Sequence, residues 1–308
     1  MRRAKIAIPI RLHPCDAWGL VVVILWDLQI VLLPSARIVP TRHQAKSDNT
    51  GDTQPRRKAV LDRKSPWLPC RPSATPARLR LFCLPHAGGG ANDYRAWSAS
   101  VPASVQICPI LLPGRETRYS EPPYTDFDLL TDVLVRELRP HLDLPYAVFG
   151  HSMGALLAFE SVRRFVQTGA PAPLWLFVSG RRAPDSAPDP QPLHALTDPE
   201  FLDQLNLIYK GIPDELLDNP EILEVFLPTL RADVSVVESY HFEKSSALDC
   251  PISAFAGEAD SSVTWQQLLA WKLQTRCQFA AHIFPGGHFY PREPLLRSIA
   301  ATLDKLVP

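Results

Sequence analysis

Tyr146-Ala147-Val148-Phe149-Gly150-His151-Ser152-Met153-Gly154-Ala155, continuing as LLAFE to residue 160, changes character at its two glycines. Residues 146–149 form an apolar run, which suits a strand covered on both faces. Residues 155–167 repeat their apolar positions with helical spacing and stop at Gly169, a residue that commonly ends helices. Between strand and helix stands Gly150-His151-Ser152-Met153-Gly154, a GxSxG motif. A serine on such a strand-to-helix elbow sits in a strained turn with its hydroxyl exposed, and side chains in place of the glycines would clash with the neighbouring strand and helix. The first N–H groups of that helix would face any negative charge developing nearby. The plain alternative is a glycine-rich turn with an incidental serine, and the strand before and helix after argue against it.

Working outward, short apolar runs at 79–84, 105–111, 174–179, 252–256 and 280–284 read as further strands, alternating with helical segments such as 128–139. That alternation predicts an α/β fold with a central, mostly parallel sheet flanked by helices. Residues 184–246 break the pattern with helical pieces near 199–208, 214–217 and 221–225. This segment is read as an inserted helical lid, against a peripheral excursion with no gating role.

A serine hydroxyl needs a general base, and the base needs an orienting acid. In sheets of this kind the chain order is serine, acid, histidine. Of His194, His241, His282 and His288, the last follows a strand within Phe284-Pro285-Gly286-Gly287-His288, a loop able to carry an imidazole over the sheet edge. His282 lies inside the strand pattern, and His194 and His241 lie in the insertion. The strand at 252–256 runs into Gly257-Glu258-Ala259-Asp260, which offers two carboxylates. Asp260 is preferred to Glu258 because it lies in the loop past the strand end. Two backbone N–H donors should face the carbonyl oxygen: Met153, directly after the serine, and Ala87, in the glycine-rich loop Pro85-His86-Ala87-Gly88-Gly89-Gly90. That loop lacks the Lys-Ser/Thr ending of a P-loop and the GxGxxG spacing, which argues against nucleotide binding.

With 308 residues there is room for one catalytic domain of roughly 200–250 residues and an extension. The zero net charge conceals two halves: residues 1–75 hold 13 Lys+Arg against 5 Asp, the remainder 19 against 27 Asp+Glu. A mildly acidic body without a basic, aromatic-interleaved stripe argues against nucleic acid. The six cysteines, at 15, 70, 83, 108, 250 and 277, show no zinc or CxxC spacing and read as reduced residues of a cytoplasmic protein. Residues 1–75 read as a disordered or non-native extension preceding a domain over 76–308. The apolar run at 17–33 spans only 17 residues, contains Asp27 and Gln29, and falls short of the roughly 20 that a membrane helix needs.

LFCLPHAGGGANDYRAW, LLPGRETRYSEPP, FGHSMGALLAFE, FVSGRRAP, LRAD, CPISAFAGEAD and FPGGHFY occur in this order between residues 79 and 290. Together they resemble the type II thioesterases, free-standing α/β-hydrolases that accompany non-ribosomal peptide and polyketide synthases; residues 1–75 have no counterpart there. The resemblance implies Ser152, Asp260 and His288 as a catalytic triad and Ala87 and Met153 as oxyanion donors. It implies hydrolysis of acyl groups from the phosphopantetheine arm of acyl or peptidyl carrier proteins, without metal or organic cofactor, in antibiotic or other secondary-metabolite synthesis. The alternatives are a medium-chain fatty acyl thioesterase, a carboxylesterase or lipase, and, in another class, a non-catalytic carrier-binding module. Phe201, Leu205, Ile208 and Tyr209 are candidates to line an acyl channel, or else to form the insertion's own small core.

Overall fold

A computed structural model describes the backbone of residues 20–24 and 30–34 and, with side chains, residues 65–69, 75–186, 192–212 and 217–307. Six strands form one parallel sheet: β3 (Leu79–Leu84), β4 (Val105–Pro109), β5 (Tyr146–His151), β6 (Trp175–Ser179), β7 (Ile252–Gly257) and β8 (Phe279–Phe284). Their order across the sheet is β4-β3-β5-β6-β7-β8. Strands β1 (Leu20–Ile24) and β2 (Ile30–Pro34) pair antiparallel, with Val22 opposite Leu32, so backbone within the apolar run at 17–33 is extended. Most of the expected extension lies outside the described residues. Among those described, no helix is long and apolar enough to cross a membrane.

The sheet is two-sided because its strands are apolar on both faces. Leu79, Leu81 and Cys83 of β3 join Phe149, Phe177 and Phe255 under Tyr94 and Trp97, from the 3-10 helix Ala91–Ala99, and under Leu295 and Ile299. Phe82 and Leu84 face the other way, toward Leu130 and Leu134 of α1 (Phe127–Leu138) and Leu156 and Phe159 of α2 (Met153–Gln167). Asp126 caps α1 by accepting from Leu129 N at 2.8 Å. Trp67 lies ahead of the expected 76–308 domain yet packs on it. It is buried in the second cluster, its carbonyl accepts from Leu111 N at 3.0 Å, and the Arg118 guanidinium lies 4.3 Å from its ring.

The insertion contains α3 (Asp198–Tyr209) and α4 (Pro220–Glu238), and two further helices, α5 (Trp265–Leu269) and α6 (Arg292–Leu306), follow it. The piece expected at 214–217 lies almost wholly outside the described residues. Helix α4 runs well past the expected 221–225, straight through Pro228. Proline costs a helix one hydrogen bond and some crowding. Burial of Leu227, Leu230 and Val234 against Phe201, Leu202 and Leu205 of α3 outweighs that cost.

Sheet order places the site. From β3 the chain goes outward to β4 and returns on the far side of β3 to form β5, so the order reverses between two adjacent strands. Open α/β sheets bind ligands beyond the carboxyl ends of strands at such a reversal. The loop after β3 and the elbow after β5 are therefore neighbours, and the loops after β7 and β8 end on the same edge.

Candidate active site

Ser152 caps α2 with φ +54° and ψ −114°, left-handed backbone that a β-substituted residue adopts only when its surroundings enforce it. The enforcement is visible on both sides. A Cβ on Gly150 would stand 2.0 Å from Gly154 O, and one on Gly154 would stand 2.3 Å from Leu84 O. Helix α2 thus packs directly on the ends of β3 and β5, and the amide of Ser152 donates to Ser179 O on the adjacent strand at 2.8 Å. Met153 is the first helical residue, where backbone N–H groups have no partner within the helix.

His288 and Asp260 meet across 28 residues of chain, and both are buried. His288 Nδ1 and Asp260 Oδ2 are 2.9 Å apart, so Nδ1 is the donor to the carboxylate and Nε2 is the ring nitrogen left outside this bond. The other carboxylate oxygen is occupied by Ser262, whose amide donates to Asp260 Oδ1 at 2.9 Å and whose hydroxyl donates at 2.6 Å. Burial opposes ionisation of Asp260, but the hydrogen bond and charge of His288 and the two bonds from Ser262 outweigh it and hold the carboxyl below its ordinary range. Glu258 is exposed. Ser262 was not among the sequence candidates. The signal was present as an Asp followed two residues later by a Ser, the spacing of a local side-chain turn.

Ser152 and His288 line one cavity of about 510 Å³, with His86, Ala87 and Gly88 on its wall. That volume lies in the range of small-molecule sites. The cavity is roofed by the insertion: Leu205, Ile208 and Tyr209 of α3 and Phe226, Leu230 and Val234 of α4 all face it. Tyr209 stands over the imidazole, ring centroids 4.8 Å apart, and Ser261 Oγ ties the end of α3 down by donating to Ile208 O at 2.7 Å. Phe201 takes the small-core role, the second of the two open to it. It is fully buried between α3 and α4, under the Arg231 guanidinium at 4.2 Å, and does not reach the cavity. Leu205 serves both the small core and the cavity wall.

The other histidines fall elsewhere. His282 is in β8, its ring stacked on Phe255 at 5.2 Å. His194 is exposed and paired with Glu238, and His241 is exposed with Nδ1 2.8 Å from Ser239 O. His151, inside the GxSxG motif, is fully buried, with Nδ1 2.8 Å from Ser179 Oγ, which lies 2.5 Å from Tyr290 OH. Burial, with the nearby His288 and His86, pushes His151 well below the usual imidazole range, so it stays neutral. Among the described residues, no cluster of His, Cys, Asp and Glu could hold a metal ion. Cys83, Cys108 and Cys250 are buried, and burial raises the Cys250 thiol to about 12.

Residues 79–306 match the thioesterase domain family. The chain belongs to that family. The gramicidin S biosynthesis protein GrsT of Aneurinibacillus migulanus is 42% identical over 214 residues, which cover 70% of this chain and 83% of GrsT. RedJ, the thioesterase from the prodiginine biosynthetic pathway in Streptomyces coelicolor, superposes with a TM-score of 0.70 at 36% identity, covering 75% of this chain and 94% of RedJ. ClbQ, from the colibactin NRPS/PKS pathway, gives a TM-score of 0.71 at 32% identity over 75% of this chain and 98% of its own. The protein is therefore a thioester hydrolase on an α/β-hydrolase scaffold, and it groups with the thioesterases of NRPS/PKS pathways.

Proposed function

We propose that this thioesterase removes acyl groups from the phosphopantetheine arms of carrier proteins in a peptide or polyketide synthase, acting in the cytoplasm as an editing enzyme with Ser152 as nucleophile. The observation that carries the reading is the buried hydrogen bond from His288 Nδ1 to Asp260 Oδ2, which leaves Nε2 as a base in a cavity that Ser152 also lines. GrsT, RedJ and ClbQ, each of a biosynthetic pathway, support the pathway context.

In the first half-reaction Ser152 Oγ attacks the thioester carbon while His288 Nε2 takes the hydroxyl proton. Charge moves to the carbonyl oxygen, which the amides of Ala87 and Met153 receive, and Asp260 stabilises the imidazolium. Collapse breaks the carbon–sulfur bond, and the pantetheine thiol leaves with the proton from His288. Water then enters, gives a proton to His288 and attacks the acyl-serine; collapse releases the carboxylic acid and restores Ser152. A thiolate is a good leaving group, so selectivity falls to access. The segment at 184–246 acts as the lid over the acyl group, with Leu205, Ile208 and Tyr209 among the contacts that read it.

Ser152→Ala tests this directly. Mass spectrometry of a panel of acyl-loaded carrier domains should show release by the native enzyme and none by the variant, whose melting temperature stays unchanged. Continued release by Ser152→Ala would require a different nucleophile, and turnover confined to oxygen esters would make the protein an esterase.

A further inference from the structure

Two stretches that mark the family, PGRE around Arg115 and LRAD around Asp233, have no part in the chemistry above, yet they meet inside the protein. Arg115 Nη2 donates to Asp233 Oδ1 and Nη1 to Oδ2, both at 2.7 Å, with side-chain exposures of 7% and 2%. Their connections run to the glycine-rich loop. Asp233 Oδ2 also accepts from Gly88 N at 2.7 Å, and Arg115 Nη1 donates to Gly89 O at 2.8 Å. On the other face of the same peptide, the Ala87 carbonyl accepts from His86 Nδ1 at 2.9 Å. The peptide directly after the Ala87 amide is therefore held at both its N–H and its C=O. Gly88 itself has φ +75°, and a Cβ there would stand 2.6 Å from the Phe226 ring of α4, so loop and helix are in direct contact.

We infer that Asp233, held by Arg115, is a positioning residue that fixes the glycine-rich loop through Gly88 N–H, so that α4 docked on that loop and an aligned Ala87 amide are one structural state. A free loop with three successive glycines samples many backbone conformations, including left-handed ones. An oxyanion donor stabilises charge only when it is already aimed at the oxygen's final position. The buried bond from Gly88 N–H to the Asp233 carboxylate, with Arg115 linking that carboxylate to Gly89 O, supplies that restraint. Asp233 belongs to α4, the helix that also covers the acyl cavity, so displacing α4 would release the loop from its carboxylate and disable the oxyanion site. The inference rests on the assignment of Ser152 as nucleophile and Ala87 as donor.

The test uses the full chain and two readouts: hydrolysis of a short acyl-pantetheine thioester, and the rate at which Ser152 is phosphonylated by an alkyl fluorophosphonate. In the second, the serine oxygen–phosphorus bond forms, fluoride leaves, and the phosphoryl oxygen occupies the oxyanion position without need of the natural substrate. Asp233→Asn puts an amide N–H against a guanidinium N–H and should lower kcat and the phosphonylation rate together, roughly 10- to 100-fold, with KM within about threefold. Arg115→Lys retains the charge but not both bonds to Asp233, and it should give a smaller loss on the same two readouts; it carries the test if Asp233→Asn does not fold. Thr229→Val removes only the bond from α4 to Gly114 O, at 2.7 Å, and should leave both rates within twofold. Native rates in folded Asp233→Asn, or an equal loss in Thr229→Val, would overturn the inference while leaving the thioesterase reading intact. Phosphonylation of Ser152→Ala at the native rate would sink the parent reading and this inference with it.

Discussion

Replacing Asp260 with asparagine changes one atom and inverts the chemistry of His288. The Ser262 amide donates to Oδ1 at 2.9 Å and has to retain an acceptor, so the asparagine oxygen stays on that side. Its NH2 then faces His288 Nδ1, where the native carboxylate oxygen accepts at 2.9 Å. The imidazole must accept at Nδ1 and carry its proton on Nε2, the nitrogen needed as base. Losing the carboxylate also removes the counter-charge of the imidazolium. Unit charges about 4 Å apart interact by about 4 kcal/mol at an effective dielectric of 20, which is close to three decades in rate. Adding the tautomer penalty gives an expected fall in kcat of roughly 10³- to 10⁴-fold. KM should change little, because Asp260 touches His288 and Ser262 rather than the cavity. Steady-state kinetics on an acyl-pantetheine thioester, with circular dichroism to establish the fold, measures this. Retention of more than a tenth of native kcat by folded Asp260→Asn would refute the assignment, and a large loss in Glu258→Gln would transfer the role to the exposed carboxylate.

Gly154→Ala would force a Cβ to within 2.3 Å of Leu84 O, a backbone atom that cannot step aside; we expect destabilisation of about 3 kcal/mol or more and a drop in Tm of roughly 6–12 °C by calorimetry. His151 and His86, both held below 6.5 by burial, bind fewer protons folded than unfolded once the pH falls below that value. Their stabilisation is complete above it and is lost as the pH falls toward their folded values, so Tm should decline on acidification, and less steeply in His151→Gln. Asp260 works in the same direction at lower pH, contributing above the ordinary carboxylate range and losing that contribution as the pH passes through its depressed folded value. Phe201→Ala should cost about 3–5 kcal/mol of stability with acyl preference unchanged, whereas Ile208→Trp should leave Tm near native and shift kcat/KM toward shorter acyl chains by tenfold or more.

Much of the architecture was legible in the chain itself, because its causes are local. The apolar runs of β3 through β8 need only their neighbours to read as covered strands, and GxSxG announces its elbow because the two glycines and the serine impose one backbone path over five residues. The loop positions of Asp260 and His288, just beyond strand ends, follow from the same local pattern. What the chain could not disclose depends on groups far apart in sequence. Strand order between β3 and β5, which sets Ala87 beside Ser152, is a matter of topology. Helix α4 continues through Pro228 only because α3 offers its side chains a partner, and Phe201 turns away from the cavity for the same reason. Arg115 and Asp233 are 118 residues apart and look like ordinary charged positions until folding buries them together on the glycine-rich loop. Local patterns specify elements because steric and hydrogen-bonding preferences act over a few residues. The alignment of a site is decided only when distant groups lose water together and must satisfy one another.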